Sequence, residues 1–187
     1  MSDLADVLRG ALAPARPDPE MPAGVPAAVV VPMIDEPEPS LLLTRRTHLV
    51  RDHKGEISFP GGVQHGEDPD LLTTALRETE EELGISRELF DVLGALPSIH
   101  TVVTGYAVLP FVGRLTEVPA MAPSPVEIAE VIRLDLAGLA AVEREVVWEG
   151  AGRSWFAYEL DGHVVWGATG RIVHFLLEAL RAEGWQI

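Results

Sequence analysis

The stretch Asp68-Pro69-Asp70-Leu71-Leu72-Thr73-Thr74-Ala75-Leu76-Arg77-Glu78-Thr79-Glu80-Glu81-Glu82-Leu83-Gly84 decides how the rest of the chain is read. Its ends mark a helix over residues 69–83. Asp68 offers an N-cap acceptor, Pro69 suits the first helical position, and Asp70 puts an acid in the first turn. Gly84 supplies the left-handed stop. At about 100° per residue, Leu72, Ala75, Leu76, Thr79 and Leu83 share one arc, which faces a core. Glu78, Glu81 and Glu82 share the adjacent arc. Arg77 flanks them and Glu80 points away. Carboxylates at i, i+3 and i+4 repel each other by roughly a few tenths of a kcal/mol per pair. A solvated acidic face is the usual meaning of such a run. The reading that gives the crowding a purpose is a divalent cation, and hard oxygen donors favour Mg²⁺ or Mn²⁺.

Upstream, Gly61-Gly62 forms a turn that aims the helix. Before it runs Leu42-Leu43-Thr44-x-x-Thr47-x-x-x-Arg51-x-x-x-Gly55-x-x-x-Phe59-Pro60-Gly61-Gly62. Gly61-Gly62 followed by Arg77-Glu78-x-x-Glu81-Glu82-x-Gly84-Ile85 resembles the Nudix box of the Nudix hydrolases. The upstream run is similar to the extra signature of their coenzyme A pyrophosphatase branch. Thr47 stands where that signature has serine, which keeps the hydroxyl. Glu67 lies six residues after Gly61 but ten before Arg77, a longer span than the general box. The partner of Arg77 is therefore open among Glu67, Asp68 and Asp70.

The resemblance implies an α/β fold, the Nudix α/β/α sandwich with a mixed β-sheet. It implies hydrolysis of the pyrophosphate bond of coenzyme A or its thioesters, giving 3′,5′-ADP and 4′-phosphopantetheine or its acyl form. Glu78, Glu81 and Glu82 would hold the metal, with the Gly61 carbonyl, beside Gly62. Arg77 would orient a carboxylate. The general base is open between Glu81 and Glu127. A related enzyme acting on ADP-ribose, NADH or a nucleoside triphosphate is the alternative. A non-catalytic nucleotide-binding module is the rival from another class, although such modules typically lose box carboxylates and this chain keeps Arg77, Glu78, Glu81 and Glu82.

The 187 residues, 47% of them hydrophobic, amount to one domain with a packed core. The division expected is a short helix and proline-rich linker over 1–25, then a single domain over 26–187. There is no cysteine, hence no disulfide framework. The acidic start lacks the apolar run of a signal peptide, and no stretch approaches a membrane span. The expectation is a soluble, cytoplasmic protein. The net charge is −15, from 29 acids against 14 bases. That argues against nucleic acid as a partner, and leaves a small nucleotide as the substrate. Its phosphates need local cations. Arg45, Arg46, Arg51 and Lys54, the only lysine, cluster just before the glycines. This patch is read as the phosphate contact. No residue argues specifically for a homodimer, which stays open.

Along the chain, strands are expected at Ala27–Ile34, Leu41–Arg45, Glu56–Phe59, Phe90–Leu96, Tyr106–Leu115 and Glu127–Leu134. Ser98–Gly105, with His100, reads as a polar loop. A short helix follows at Leu136–Val142, then a strand pair at Glu145–Glu149 and Ser154–Leu160 around Gly150-Ala151-Gly152. Thr169 is the expected N-cap of a last helix whose buried face is Ile172, Val173, Phe175, Leu176, Leu177 and Leu180.

Overall fold

Alternation along two apolar strands divides the molecule into layers. The structure, a computed structural model, describes residues 3–16, 18–48, 55–101, 105–148 and 153–185. In β1 (Val25–Ile34), Ala28 and Val30 face one core while Val31 and Met33 face another. In β2 (Ser40–Arg46), Leu42 joins the first core while Leu41 and Leu43 join the second. A strand whose successive residues are both apolar is buried on both sides.

The remaining strands are β3 (Ile57–Ser58), β4 (Gly61–Val63), β5 (Asp91–Ala95), β6 (Ile99–His100), β7 (Tyr106–Leu115) and β8 (Ile128–Asp135). They complete a sheet whose main path is β3-β2-β1-β7-β5. β4, β6 and β8 pair off this path with β1, β7 and β2. β1 and β7 run parallel over their whole length, from Val25–Tyr106 to Ile34–Leu115, and the other pairings are antiparallel. The sheet is mixed, as expected. The helix α2 (Leu71–Leu83) covers one face. The helices α1 (Leu4–Ala11) and α4 (Gly167–Ala182) cover the other. This is an α/β/α sandwich. The short α3 (Leu136–Val142) leads into a second sheet of β9 (Arg144–Trp148), β10 (Arg153–Leu160) and β11 (His163–Val165). Gly150-Ala151-Gly152 lies outside the described residues.

The amphipathic N-terminal helix is α1, which buries Leu4, Ala5 and Leu8 in the same core as α4. Each buried leucine contributes about 1.5–3 kcal/mol. Three expectations are corrected. The cap of α2 is Asp70, whose carboxylate accepts from the Thr73 amide at 2.7 Å. Asp68 is taken instead by the His65 amide, the Thr74 hydroxyl and Arg77. The cap position of α4 is Trp166, with no side-chain bond. The Thr169 hydroxyl donates instead to the Ile57 carbonyl at 3.0 Å, tying α4 to β3. Finally, His100 lies in β6, because Ile99 finds a partner in Val108 of β7. Among the described residues no helix is long and apolar enough to cross a membrane.

Candidate active site

β4 and the start of β2 share one edge of β1, and α2 crosses beneath β4 and β1. The glycines are fixed by what they touch. Gly61 has φ +150°, and a Cβ there would lie 2.2 Å from the Ala28 carbonyl oxygen. A Cβ on Gly62 would lie 2.7 Å from the carboxyl carbon of Glu78. The first glycine thus lets two backbones meet, and the second admits a carboxylate of α2.

One turn further along α2, Glu82 is turned inward, its side chain only 5% exposed. Its Oε2 accepts from the Gly61 amide at 3.3 Å, and its Oε1 from Arg46 Nη1 at 3.2 Å. Burial pushes its carboxyl up to about 7, against the pull of Arg46 and the Gly61 amide. Glu127 and Glu78 add to the upward push through their charges. A buried carboxylate pressed by two others is a poor resident without a cation.

Arg77 organises the neighbouring acids. Its Nε and Nη2 hold both oxygens of Asp68, at 3.1 and 3.0 Å. Its Nη1 reaches Glu78 at 2.8 Å and Glu81 at 3.2 Å. Of the three partners left open, Asp68 is the one. Glu67 is exposed, and Asp70 is occupied with the helix cap and Arg16. The bidentate pair holds the Asp68 carboxyl far below the usual carboxylate range and raises the guanidinium.

Glu127 arrives on a loop stitched to its surroundings by backbone bonds. The Ala122 and Ser124 amides donate to the Leu83 and Glu82 carbonyls, each at 2.8 Å, using acceptors free at the end of α2. The Thr47 amide donates to the Glu127 carbonyl at 2.8 Å, and the Thr47 hydroxyl to the Val126 carbonyl at 2.6 Å. Glu127 sits in the turn just before β8 rather than in the strand. The sequence marks this clamp only through the hydroxyl at position 47, where the resembling signature has serine.

Gly61, Gly62, Glu78, Glu82, Arg77, Arg46 and Glu127 therefore come together. Glu81 stands at the rim, its side chain 60% exposed. Arg45 goes elsewhere, to Glu130 at 2.9 Å and His163 at 2.8 Å. Arg51 and Lys54 lie outside the described residues. Among the described residues no three acids are gathered into a finished metal cage. Arg77 bridges Asp68, Glu78 and Glu81, and Arg46 pairs with Glu82.

A NUDIX domain model matches residues 24–150, which include the glycines, the helix and Glu127. This chain is a member of the Nudix hydrolase family. The uncharacterised Nudix hydrolase NudL of Photorhabdus laumondii is 35% identical over 159 residues, 83% of this chain and 84% of that one. Its namesake in Pectobacterium atrosepticum is 37% identical over 158 residues, 80% of each chain. A solved MutT/nudix family protein from Enterococcus faecalis superposes with a TM-score of 0.55 at 16% identity, over 89% of this chain and 64% of that one. The NUDIX domain of Shewanella oneidensis NrtR, solved with ADP ribose, gives 0.51 at 16% over 67% and 82%. These two likenesses carry the fold alone.

Nudix hydrolases split pyrophosphate bonds in nucleoside diphosphate derivatives and generally use divalent metal ions. The residues present fit such an ion. The donors are hard oxygens, one carboxylate is buried with its charge opposed, and Gly62 leaves the space that Glu78 fills.

Proposed function

We propose that this Nudix hydrolase cleaves the pyrophosphate bond of coenzyme A or acyl-coenzyme A, with Mg²⁺ or Mn²⁺, releasing 3′,5′-ADP and (acyl-)4′-phosphopantetheine. The observation that carries the hydrolytic reading is the meeting of Glu78 and Glu82 at the Gly61–Gly62 turn, with Arg77 locked onto Asp68. The choice of substrate rests on the signature from Leu42 to Pro60. The cytoplasmic setting belongs to the same proposal.

Glu78 and Glu82 would hold the ion, with Glu81 and the Gly61 carbonyl as the remaining donors. When bound, such an ion neutralises diphosphate oxygens and acidifies the attacking water. Arg77, anchored at Asp68, fixes the side chains of Glu78 and Glu81. Glu127 accepts the water's proton. It is favoured over Glu81 because it lies beside Glu82, whereas Glu81 is directed to solvent with one oxygen on Arg77. Arg46, with Arg51 and Lys54, receives the phosphates.

The test is product analysis by chromatography. Coenzyme A, ADP-ribose, NADH and dGTP are incubated in parallel with Mg²⁺ or Mn²⁺, with EDTA controls. The expected outcome is metal-dependent 3′,5′-ADP from coenzyme A, well above turnover of the others. Turnover of another substrate alone would keep the metal chemistry and discard the meaning given to the upstream signature.

A further inference from the structure

Arg46 carries a feature that a plain phosphate contact leaves unexplained. The register of β2 against β8 shifts between Arg45 and Arg46. Arg45 is satisfied by Glu130 and His163. Arg46 sends Nη1 to the buried Glu82, while its own Nε is buried with no hydrogen-bond partner. An orphaned donor on a charged group is costly. Its side chain as a whole is 24% exposed.

A metal ion and Arg46 make the same demand on Glu82. Both are cations, and placed side by side they repel unless an anion lies between them. The substrate brings that anion, a diphosphate, whose paired oxygens match the fork of a guanidinium.

We propose that Arg46 is the internal counter-ion of Glu82 in the metal-free protein, that it yields this carboxylate to the divalent cation, and that its released guanidinium then grips the diphosphate. The idea rests on the metal-dependent reading above. One consequence is that metal and nucleotide bind cooperatively. The ion alone has to displace Arg46, and the nucleotide restores a partner to it. By linkage each then tightens the other to the same degree.

The experiment is calorimetric titration of Mn²⁺ into wild type, Arg46→Gln and Arg46→Lys, with and without α,β-methylene-ADP as a non-hydrolysable diphosphate. In wild type the analogue is expected to tighten Mn²⁺ binding by about tenfold. Arg46→Gln is expected to bind Mn²⁺ alone about tenfold tighter than wild type and to gain little from the analogue. Arg46→Lys keeps the charge and should stay close to wild type for Mn²⁺ alone. Clear Mn²⁺ binding in wild type with unchanged or weaker binding in a folded Arg46→Gln overturns the role of Arg46 and leaves the metal reading standing. No Mn²⁺ binding in wild type removes the metal reading and this proposal with it. Should Arg46→Gln fail to fold, the wild-type protein still decides. The Arg46 Nε–Hε resonance is expected to shift when Mg²⁺ alone is added, and a resonance unmoved at saturating Mg²⁺ overturns the exchange.

Discussion

Glu82 is the buried carboxylate of the site. It accepts from Gly61 and Arg46, and feels the charges of Glu78 and Glu127. Glu82→Gln keeps its shape and removes its charge. Turnover is expected to fall by at least a factor on the order of 100, since a charged ligand is lost. The circular dichroism spectrum should match wild type, because no packing atom is removed. Turnover close to wild type would refute the metal assignment. Asp68 answers instead to pH. Arg77 holds its folded-state carboxyl far below the ordinary value of about 3.9. A depressed carboxyl stabilises the fold above the ordinary value, and that stabilisation is lost as pH falls below it. Asp68→Asn should therefore melt earlier than wild type at pH 6–7, with the gap narrowing as pH drops below about 4. A gap that stays constant across that range would mean that the hydrogen bonds, and not the charge, hold Arg77.

Elements were legible where local pattern decides them. The apolar run of β1, the alternation of β7 and the carboxylate helix stand close to their expected bounds. Caps were harder, because Asp68, Asp70 and Thr169 all have capping chemistry and distant partners chose among them. The sequence of β6 reads as loop, because two residues become a strand only through pairing with β7. The parallel register of β1 and β7 joins residues about eighty positions apart, and no periodicity encodes it. The loop from Ala122 to Glu127 is a similar case. Its Glu127 looked like the first residue of a strand, yet it is set by bonds from Thr47 and to the end of α2. On the proposed role of Glu127 as base, Thr47 is a positioning residue. Thr47→Val is expected to lower kcat about tenfold with KM little changed, while Thr47→Ser stays near wild type. In a Glu127→Gln background the valine should add almost nothing. An additive loss there would assign Thr47 to the fold and not to Glu127.

At the scale of the molecule, the sheet separates a core under α2 from a core under α1 and α4. The acids of the site lie where the first core meets the edge of β1. Around them the whole chain carries a net charge of −15, and the proposed substrate is itself a polyanion. The long-range field therefore opposes approach, which local cations, Arg46 and the proposed metal ion, would have to offset. Screening acts on the two differently. Raising ionic strength from about 0.01 to about 0.15 M shortens the Debye length from roughly 30 to roughly 8 Å. That suppresses distant repulsion while leaving contacts inside the site largely intact. At fixed free Mn²⁺, kcat/KM for coenzyme A should rise severalfold over this range, the reverse of an enzyme whose field draws in an anion. A fall with salt would show that the local basic cluster, and not the net charge, governs the encounter.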